Sequence, residues 1–433
     1  MLSTRVKSLL LWRGIWVLGV AAQAGCSSAA LPEQHGATGG TGAGVIGTAG
    51  SGAVGAVSSA GGSGAGGAGG SGAGGSGGIV NAGPPVKAVS AGGYHTCALL
   101  TDGTVRCWGY GQGGVLGNGT QANQTAPTPV VGLSGAERIF AAYTDSCAQL
   151  GDGTMLCWGF NKNGQLGDGT TTEHDLPTAT LGPVLLHGGV SLGQYHSCGV
   201  WPDGSASCWG GNYAGQVGDG TKVDRDTPTA VGLTNVKQVV AGDIQSCAVL
   251  LDGTVDCWGY NGFGTLGDGT TTDHLTPAPV PGLLGVAQVG LGENIACALM
   301  NDATVQCWGA NNYGQLGSGA NTNVNAARPQ AVPGLAQVSQ LSVGDNFACV
   351  LIAGGTVRCW GYNAYGQLGD GTRDSRSSAT PVPQLTDVVQ ISSGTTHACA
   401  VTSGGTLLCW GDELAFVGGG PNANRLSPTV IAF

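Results

Sequence analysis

The residues of this sequence that could do chemistry are its cysteines, and they recur at a fixed spacing. Fourteen of the 15 cysteines form seven pairs with nine residues between partners, and Trp-Gly follows the second cysteine of every pair. Structural zinc sites use short Cys-x-x-Cys knuckles, which this sequence lacks, so the spacing favours disulfides over a metal site or free thiols. The pairs are Cys97 with Cys107, Cys147 with Cys157, Cys198 with Cys208, Cys247 with Cys257, Cys297 with Cys307, Cys349 with Cys359, and Cys399 with Cys409.

The hairpin between the first two cysteines shows how the pairs would face each other. Its loop is Thr-Asp-Gly at 101–103, a three-residue connection with Gly103 at the position that requires a positive φ. Counting outward places Cys97 opposite Cys107 in a non-hydrogen-bonded pair, whose Cα atoms approach within about 4.5 Å, in the range of a disulfide. We predict one cross-strand disulfide in each repeat. Ala303 replaces the turn glycine in the fifth repeat and predicts a strained or altered turn there.

The cysteine pairs belong to a repeat of about fifty residues that begins at Val86, and such a period indicates a propeller or a solenoid. Each unit contains four short strands. The first ends in small residues (VKAVSAG at 86–92), the second and third carry the cysteines, and the fourth contains proline (PTAVGL at 228–233). Helical periodicity is absent, and the 84 glycines argue against long helices. The predicted fold is all-β.

The N-terminal residues 1–26 have the pattern of an export signal. A basic start and a short apolar run precede small residues and Cys26, the one cysteine without a partner in the repeat. The run QAGC at 23–26 is similar to a bacterial lipobox, in which the cysteine is diacylated and becomes the new N-terminus. Ordinary signal-peptide cleavage after 22–24 is the alternative.

The remaining boundaries follow from composition. Residues 27–85 are almost all Gly, Ala, Ser and Thr, and offer too few large apolar side chains to offset the entropy of ordering, which predicts a disordered tether. Residues 86–433 form the repeat domain. Only 9% of all residues are charged, and 15 Lys and Arg face 25 Asp and Glu, a formal net charge of -10. This balance argues against a nucleic-acid partner, and leaves the lipid anchor as the one predicted contact with a membrane.

Two glycine-rich patterns could hold a ligand but lack the required residues. The GQLGDGT loops have no Lys-Ser/Thr after them, unlike a phosphate-binding loop. Their Asp-Gly-Thr ends, at Asp168, Asp219, Asp268 and Asp370, lack the alternating acidic ligands of a calcium loop. We predict no metal and no cofactor, and read these loops as turns that pack one repeat on the next.

The repeat unit resembles the regulator of chromosome condensation (RCC1) repeat. The resemblance rests on GGYHTCALLTDGTVRCWG at 92–109 and on WGYNAYGQLGDGT at 360–372, and covers 86–433. It implies a closed seven-bladed β-propeller of four-stranded antiparallel blades. The eukaryotic regulator completes its final blade with N-terminal strands, whereas the repeats of this chain are in frame. Either the seventh blade closes without exchange, or the last strand swaps onto the first blade.

The segments that vary between repeats are the candidate binding residues. They follow the first strand of each unit, where their flanks are constant, and repeat proteins use such loops to bind partners. A second variable set of segments, including 173–175 and 373–376, is more charged. We expect it at the rim of the propeller and interpret its side chains as exposed to solvent. Hydrogen bonding to a neighbouring turn is the alternative for the histidines. The predicted binding-face residues are Tyr94, His95, Tyr143, Asp145, Tyr195, His196, Asn294, Asn346, Phe347 and His397.

These observations predict an exported, lipid-anchored, monomeric propeller that binds an unknown protein or cell-surface macromolecule. The expected location is the cell envelope, as an outer-membrane lipoprotein that is periplasmic or surface-exposed; otherwise the protein is secreted. No catalytic set is recognisable, so an enzyme is not predicted. The alternatives are a nucleotide exchange factor-like regulator by family analogy, an enzyme inhibitor such as the β-lactamase inhibitor that the resemblance includes, and a hydrolase or lyase of surface polysaccharide.

Overall fold

The computed structural model describes residues 83–181, 189–319, 324–412 and 424–433, which form seven four-stranded antiparallel sheets arranged as the blades of a propeller. The predicted signal, Cys26 and nearly all of the predicted tether lie outside the described residues. Besides the strands, the described residues contain one 3-10 turn, η1 (Gln112–Gly114). No helix in the described part of the chain is long and apolar enough to span a bilayer.

Four consecutive strands form each blade. Blades 1 to 4 consist of β1 (Val86–Ala91), β2 (His95–Leu100), β3 (Val105–Gly109) and β4 (Gln124–Pro129); β5 (Ala136–Ala141), β6 (Asp145–Leu150), β7 (Met155–Gly159) and β8 (His174–Ala179); β9 (Val190–Leu192), β10 (His196–Val200), β11 (Ala206–Gly210) and β12 (Arg225–Ala230); and β13 (Val236–Ala241), β14 (Gln245–Leu250), β15 (Val255–Gly259) and β16 (His274–Pro279). Blades 5 to 7 consist of β17 (Val286–Leu291), β18 (Ile295–Met300), β19 (Val305–Gly309) and β20 (Ala326–Ala331); β21 (Val338–Val343), β22 (Phe347–Ile352), β23 (Thr356–Gly361) and β24 (Arg376–Pro381); and β25 (Val388–Ser393), β26 (His397–Thr402), β27 (Leu407–Gly411) and β28 (Arg425–Val430).

The ring closes without strand exchange. The last strand, β28, pairs with β27 of its own blade, with Leu408 opposite Val430. Blade 7 instead meets blade 1 through packing, because Val89 and Trp108 share a buried cluster with Val401 and Ile431. Of the two closures that the sequence left open, the structure shows the one in which every blade is a continuous stretch of chain.

The predicted hairpin register is confirmed in the first repeat and holds in the other six. In the first hairpin, Leu99 lies opposite Val105, and the two cysteines face each other. All seven predicted pairs are disulfides, and their Cα atoms are 4.0–4.1 Å apart. The bonded partners are Cys97 with Cys107, Cys147 with Cys157, Cys198 with Cys208, Cys247 with Cys257, Cys297 with Cys307, Cys349 with Cys359, and Cys399 with Cys409.

The fifth hairpin turn keeps the shape of the others although it lacks their glycine. Ala303 takes the glycine position with a φ of 64°, a left-handed conformation that costs an alanine free energy. The backbone nitrogen of Ala303 still donates to the Met300 oxygen at 2.9 Å, as Gly103 does to Leu100 in the first hairpin. The expected strain is therefore confined to the backbone conformation of one residue.

The hydrophobic core lies between blades, and a tryptophan from the third strand of each blade packs into the preceding one. Trp258 of blade 4, for example, is buried against Cys198, Val217 and Val231 of blade 3. Its Nε1 donates to the backbone oxygen of Gln216 at 2.9 Å. Five other tryptophans repeat this bond, whereas Trp108 at the junction of blades 7 and 1 has no acceptor among the described residues.

A polar clamp joins the first strands of adjacent blades. The Gln390 side chain accepts from the backbone nitrogen of Val89 at 3.0 Å and donates to the Val89 oxygen at 3.1 Å, across the junction of blades 7 and 1. Gln340 holds Ile391 in the same way between blades 6 and 7. Since the closing junction uses the same clamp as a junction that the chain itself crosses, closure needs no special element.

Candidate binding face

Two loops of every blade emerge on the same side of the ring. In a four-stranded meander the loop between the first and second strands (the inner loop) and the loop between the third and fourth strands (the outer loop) share one end of the sheet. The inner loops hold Tyr94, Tyr143 and Tyr195, and the outer loops hold the other six tyrosines. All nine tyrosines of the chain therefore lie on one side, called here the tyrosine face: Tyr94, Tyr110, Tyr143, Tyr195, Tyr213, Tyr260, Tyr313, Tyr362 and Tyr365.

The tyrosine rings contact one another and stay accessible. Tyr213, Tyr313 and Tyr365 are 54%, 42% and 37% exposed. Tyr313 stacks at a tilt on Tyr362, with ring centroids 4.5 Å apart, and Tyr362 meets Tyr365 edge to face at 6.2 Å. Such pairs hold the rings in place before any partner arrives, which lowers the entropic cost of binding.

The structure divides the ten residues predicted for a binding face into two sets of five. Tyr94, Tyr143, Tyr195, Asn294 and Asn346 are partly exposed on the tyrosine face. The other five are at most 1% exposed, and this corrects the prediction, because a partner cannot reach them: His95, Asp145, His196, Phe347 and His397. These five begin the second strand of their blades, where the side chain points into the junction between blades.

The buried histidines bind the next blade. Nε2 of His196 lies 2.7 Å from Oγ of Ser246 in blade 4, and that hydroxyl donates to the backbone oxygen of Gln216. Because the serine hydrogen is used in that bond, the histidine must donate from Nε2, which assigns its tautomer. His95 repeats the contact with Ser146 at 2.8 Å, and His397 reaches Thr96 at 2.8 Å across the closing junction. The alternative considered from the sequence was a hydrogen bond to a neighbouring turn; the histidines instead bond to strand residues of the next blade.

A serine beside a histidine is also the arrangement of a catalytic nucleophile and its base. Here His196 and Ser246 are both 0% exposed, so a substrate has no access to them. Burial lowers the pKa of His95 and His196 to about 3 and that of His397 to about 4, which keeps all three rings neutral near pH 7. The pairs join blades and do not form an active site.

Asp145 takes the histidine position in blade 2 without a comparable contact. Neither of its carboxyl oxygens has a hydrogen-bond partner among the described residues, and the side chain is buried. Burial raises the pKa of this carboxyl well above its ordinary value, which favours the neutral acid.

The ends of the first strands line a cavity at the centre of the tyrosine face, where the channel of the propeller opens. Its volume is about 120 Å³, and Gly93, Tyr143, Gln194, Asp243, Asp345 and Thr395 are among its lining residues. Glycine is needed just below this opening, because a Cβ on Gly292 would overlap the carbonyl oxygen of Gly344 in the next blade. We call this opening, with the adjoining Glu293, the channel mouth.

The charged residues of the outer loops make internal contacts that sequence reasoning missed. The carboxylate of Asp219 accepts from Thr221 and from Arg225, whose Nη2 lies 2.6 Å away, and Asp168 accepts from Thr170 and contacts His174 at 2.7 Å. The second variable set is therefore partly structural. The signal was an Arg or His six residues after the Asp. No group of three or more His, Cys, Asp or Glu in the described residues is arranged to hold a metal ion.

The fold and its seven internal disulfides define this protein as a disulfide-bonded seven-bladed β-propeller, made of in-frame four-strand repeats. The chain belongs to the regulator of chromosome condensation (RCC1) repeat family. One sequence profile of that repeat matches 102–148, 152–200, 203–249, 252–299, 302–351 and 354–401, and a second matches 86–114, 236–265, 286–315 and 338–367.

Individual relatives are distant. The chain is 30% identical over 159 residues to the ultraviolet-B receptor UVR8 of Arabidopsis thaliana, across 36% of each protein. It is 37% identical over 60 residues to the mitochondrial RCC1 domain-containing protein RUG3 of the same plant, across 14% of each. The matched segments thus span well under two thirds of these relatives.

Solved structures show the same fold. Yeast RCC1 (Prp20), crystallised with Kap60, superposes with a TM-score of 0.68 at 20% identity, over 77% of this chain and 85% of that one. Human WBSCR16 gives a TM-score of 0.68 at 23% identity, over 76% of this chain and 95% of that one.

Proposed function

We propose that this protein is an exported, lipid-anchored propeller that binds a protein partner through its tyrosine face. The observation that carries the proposal is the gathering of all nine tyrosines on one side of a rigid ring. Tyrosine contributes a large contact area and a polar hydroxyl at low entropic cost, and is enriched in protein interfaces.

One further observation supports an oxidising compartment, and another supports protein binding. Seven disulfides are typical of exported proteins, because cytosolic thiols are kept reduced. Among structural relatives, Prp20p of Saccharomyces cerevisiae is described with binding properties to Gsp1p and histones, so a propeller of this family can serve as a protein-binding surface.

The binding face can be tested with two paired variants of the full chain. Tyr313→Ser/Tyr365→Ser removes two exposed rings of the tyrosine face, and we expect it to lower capture of protein partners from envelope fractions at least tenfold. Capture is measured by quantitative mass spectrometry against unmodified protein.

The matched control lies on the opposite side of the ring. Leu251→Ser/Leu284→Ser removes two side chains that are 68% and 66% exposed, and we expect capture to stay unchanged. Loss of capture in this control, or full capture by the tyrosine variant, would contradict the assignment of the face.

The lipid anchor makes a separate prediction. Replacing Cys26 with Ser removes the thiol that would be acylated, so incorporation of labelled palmitate should fall to background. The protein should then move from the membrane fraction to the soluble fraction. Labelling that persists in the Cys26→Ser variant would rule out this cysteine as the site.

A further inference from the structure

The channel mouth is divided into an acidic half and an aromatic half. Asp243, Glu293 and Asp345 occupy the same inner-loop position in blades 4, 5 and 6. The inner loops of blades 1, 2 and 3, in the opposite half of the ring, carry three residues of the tyrosine face. These are Tyr94, Tyr143 and Tyr195. The described residues that line the cavity include no Lys, Arg or His.

The three acidic side chains of this half act on one another electrostatically, and burial together with this interaction raises the pKa of Asp345 to about 7. Burial and then the negative charges of Asp345 and Glu293 raise the pKa of Asp243. No described residue makes a hydrogen bond to the Asp243 side chain, although it lines the cavity. Glu293 accepts one bond, from the Asn346 amide at 3.0 Å. Three acidic groups are thus gathered here without a cationic partner from the described chain, and burial favours a proton on Asp243 in the absence of such a partner.

The aromatic half is held in a fixed arrangement. The hydroxyls of Tyr94 and Tyr143 are 3.1 Å apart, and the rings meet edge to face with centroids 5.4 Å apart. Tyr143 lines the same cavity as Asp243 and Asp345, so the two halves face each other across one opening. Burial, and to a smaller extent the negative charge of Asp345, raises the pKa values of both tyrosines.

We propose that the channel mouth binds a Lys or Arg side chain presented by the protein partner that docks on the tyrosine face. Carboxylates form charge-assisted hydrogen bonds with such a group, and tyrosine rings attract it through their π faces. A bound cation also stabilises the charged forms of these acidic groups and so favours release of their protons, whereas an anionic polymer would be repelled. This inference rests on the proposed function and adds the chemistry of the partner.

A short peptide tests the chemistry directly on the full chain. The probe is acetyl-Gly-Gly-Arg-Gly-Gly-amide, and its control replaces arginine with the neutral isostere citrulline. We expect the arginine peptide to bind at least tenfold more tightly in an NMR titration, and to weaken at least tenfold with the Asp243→Asn/Asp345→Asn variant. Equal affinity for the two peptides, or unchanged affinity in this variant, would overturn the proposal.

A matched variant controls for overall charge. Asp102→Asn/Asp252→Asn removes two carboxylates from the hairpin turns on the opposite side of the ring, where each carboxylate accepts from the threonine two residues later. This variant should bind the arginine peptide as the unmodified protein does. Weakening equal to that of the channel-mouth variant would show a long-range charge effect and overturn the site.

The capture experiment separates this inference from the proposed function. If Tyr313→Ser/Tyr365→Ser abolishes protein capture while Asp243→Asn/Asp345→Asn leaves it intact, the tyrosine face stands and the cationic side chain is excluded. If both variants lose capture, both proposals are supported. Bound material that resists protease and consists of glycan would overturn both.

Discussion

Replacing Trp258 with Ala is expected to lower the free energy of unfolding by about 3–5 kcal/mol, because it removes a large buried side chain and leaves a cavity in the closed core. Trp258 is 0% exposed and fills the junction between blades 3 and 4. Its loss also removes a hydrogen bond to the Gln216 oxygen. The measurement is equilibrium denaturation followed by circular dichroism, with the disulfides intact.

Trp201 provides the control for this substitution. It lies in the hairpin turn of blade 3, is partly exposed at the margin of the cluster between blades 2 and 3, and donates to Ser207 at 2.8 Å. We expect Trp201→Ala to cost about 1 kcal/mol. Equal losses in the two variants would show that the fully buried interior between blades contributes no more than its partly exposed margin, contrary to the packing described above.

Replacing His196 with Gln is expected to make the protein more resistant to acid. The pKa of His196 is about 3 in the folded protein, below the ordinary value of 6.5. Below pH 6.5 the unfolded chain therefore binds a proton that the folded chain does not, and stability falls with pH down to about 3. The difference in unfolding free energy between variant and unmodified protein should shift in favour of the variant by about 1.4 kcal/mol per pH unit.

The pH dependence of stability must be compared between the His196→Gln variant and the unmodified protein, because buried carboxyls change stability with pH in the direction opposite to buried histidines. Burial raises the pKa values of Asp145 and Asp243, so their folded forms hold a proton that the unfolded chain has released above its ordinary pKa. Their contribution to stability therefore increases as pH falls, and offsets the histidines in either protein alone. The contribution of the carboxyls cancels in the difference between the unfolding free energies of the two proteins.

Denaturation curves at pH 7.5, 6, 5 and 4.5 measure the histidine effect. Glutamine is a suitable replacement because Gln245 occupies the same position in blade 4 and is buried there. His95→Gln should give the same slope, since its pKa is also about 3. Stability differences that stay constant from pH 7.5 to 4.5 would show that the histidine is charged in the folded protein.

The part of the structure that could be predicted from sequence is the part that depends on local geometry. A three-residue loop determines the register of its hairpin, so the Cys97 and Cys107 partnership followed from counting residues. The burial of His95 could have been found in the same way. It lies two residues before Cys97, and alternate residues of a strand share a side, so both point into the junction between blades.

The remainder depends on contacts between repeats, for which local spacing is no guide. In the sequence Gln390 is an ordinary polar residue of a half-buried strand. In the structure its side chain accepts a hydrogen bond from the backbone nitrogen of Val89, which is 301 positions away. The tyrosines of the outer loops are conspicuous in the sequence after Trp-Gly. They join those of the inner loops as one surface only because the strand order of the meander brings the two loops together.

The absence of strand exchange in the described blades makes the junction between blades 7 and 1 an intramolecular binding interface. Its two halves are blade 7 and blade 1. They are joined by the clamp of Gln390 on Val89, by the hydrogen bond between His397 and Thr96, and by the packed cluster around Trp108 and Ile431. The chain connects these halves through the other blades, and that connection sets the effective concentration at which they meet. An interface too weak to hold two separate molecules can close the ring at such a concentration.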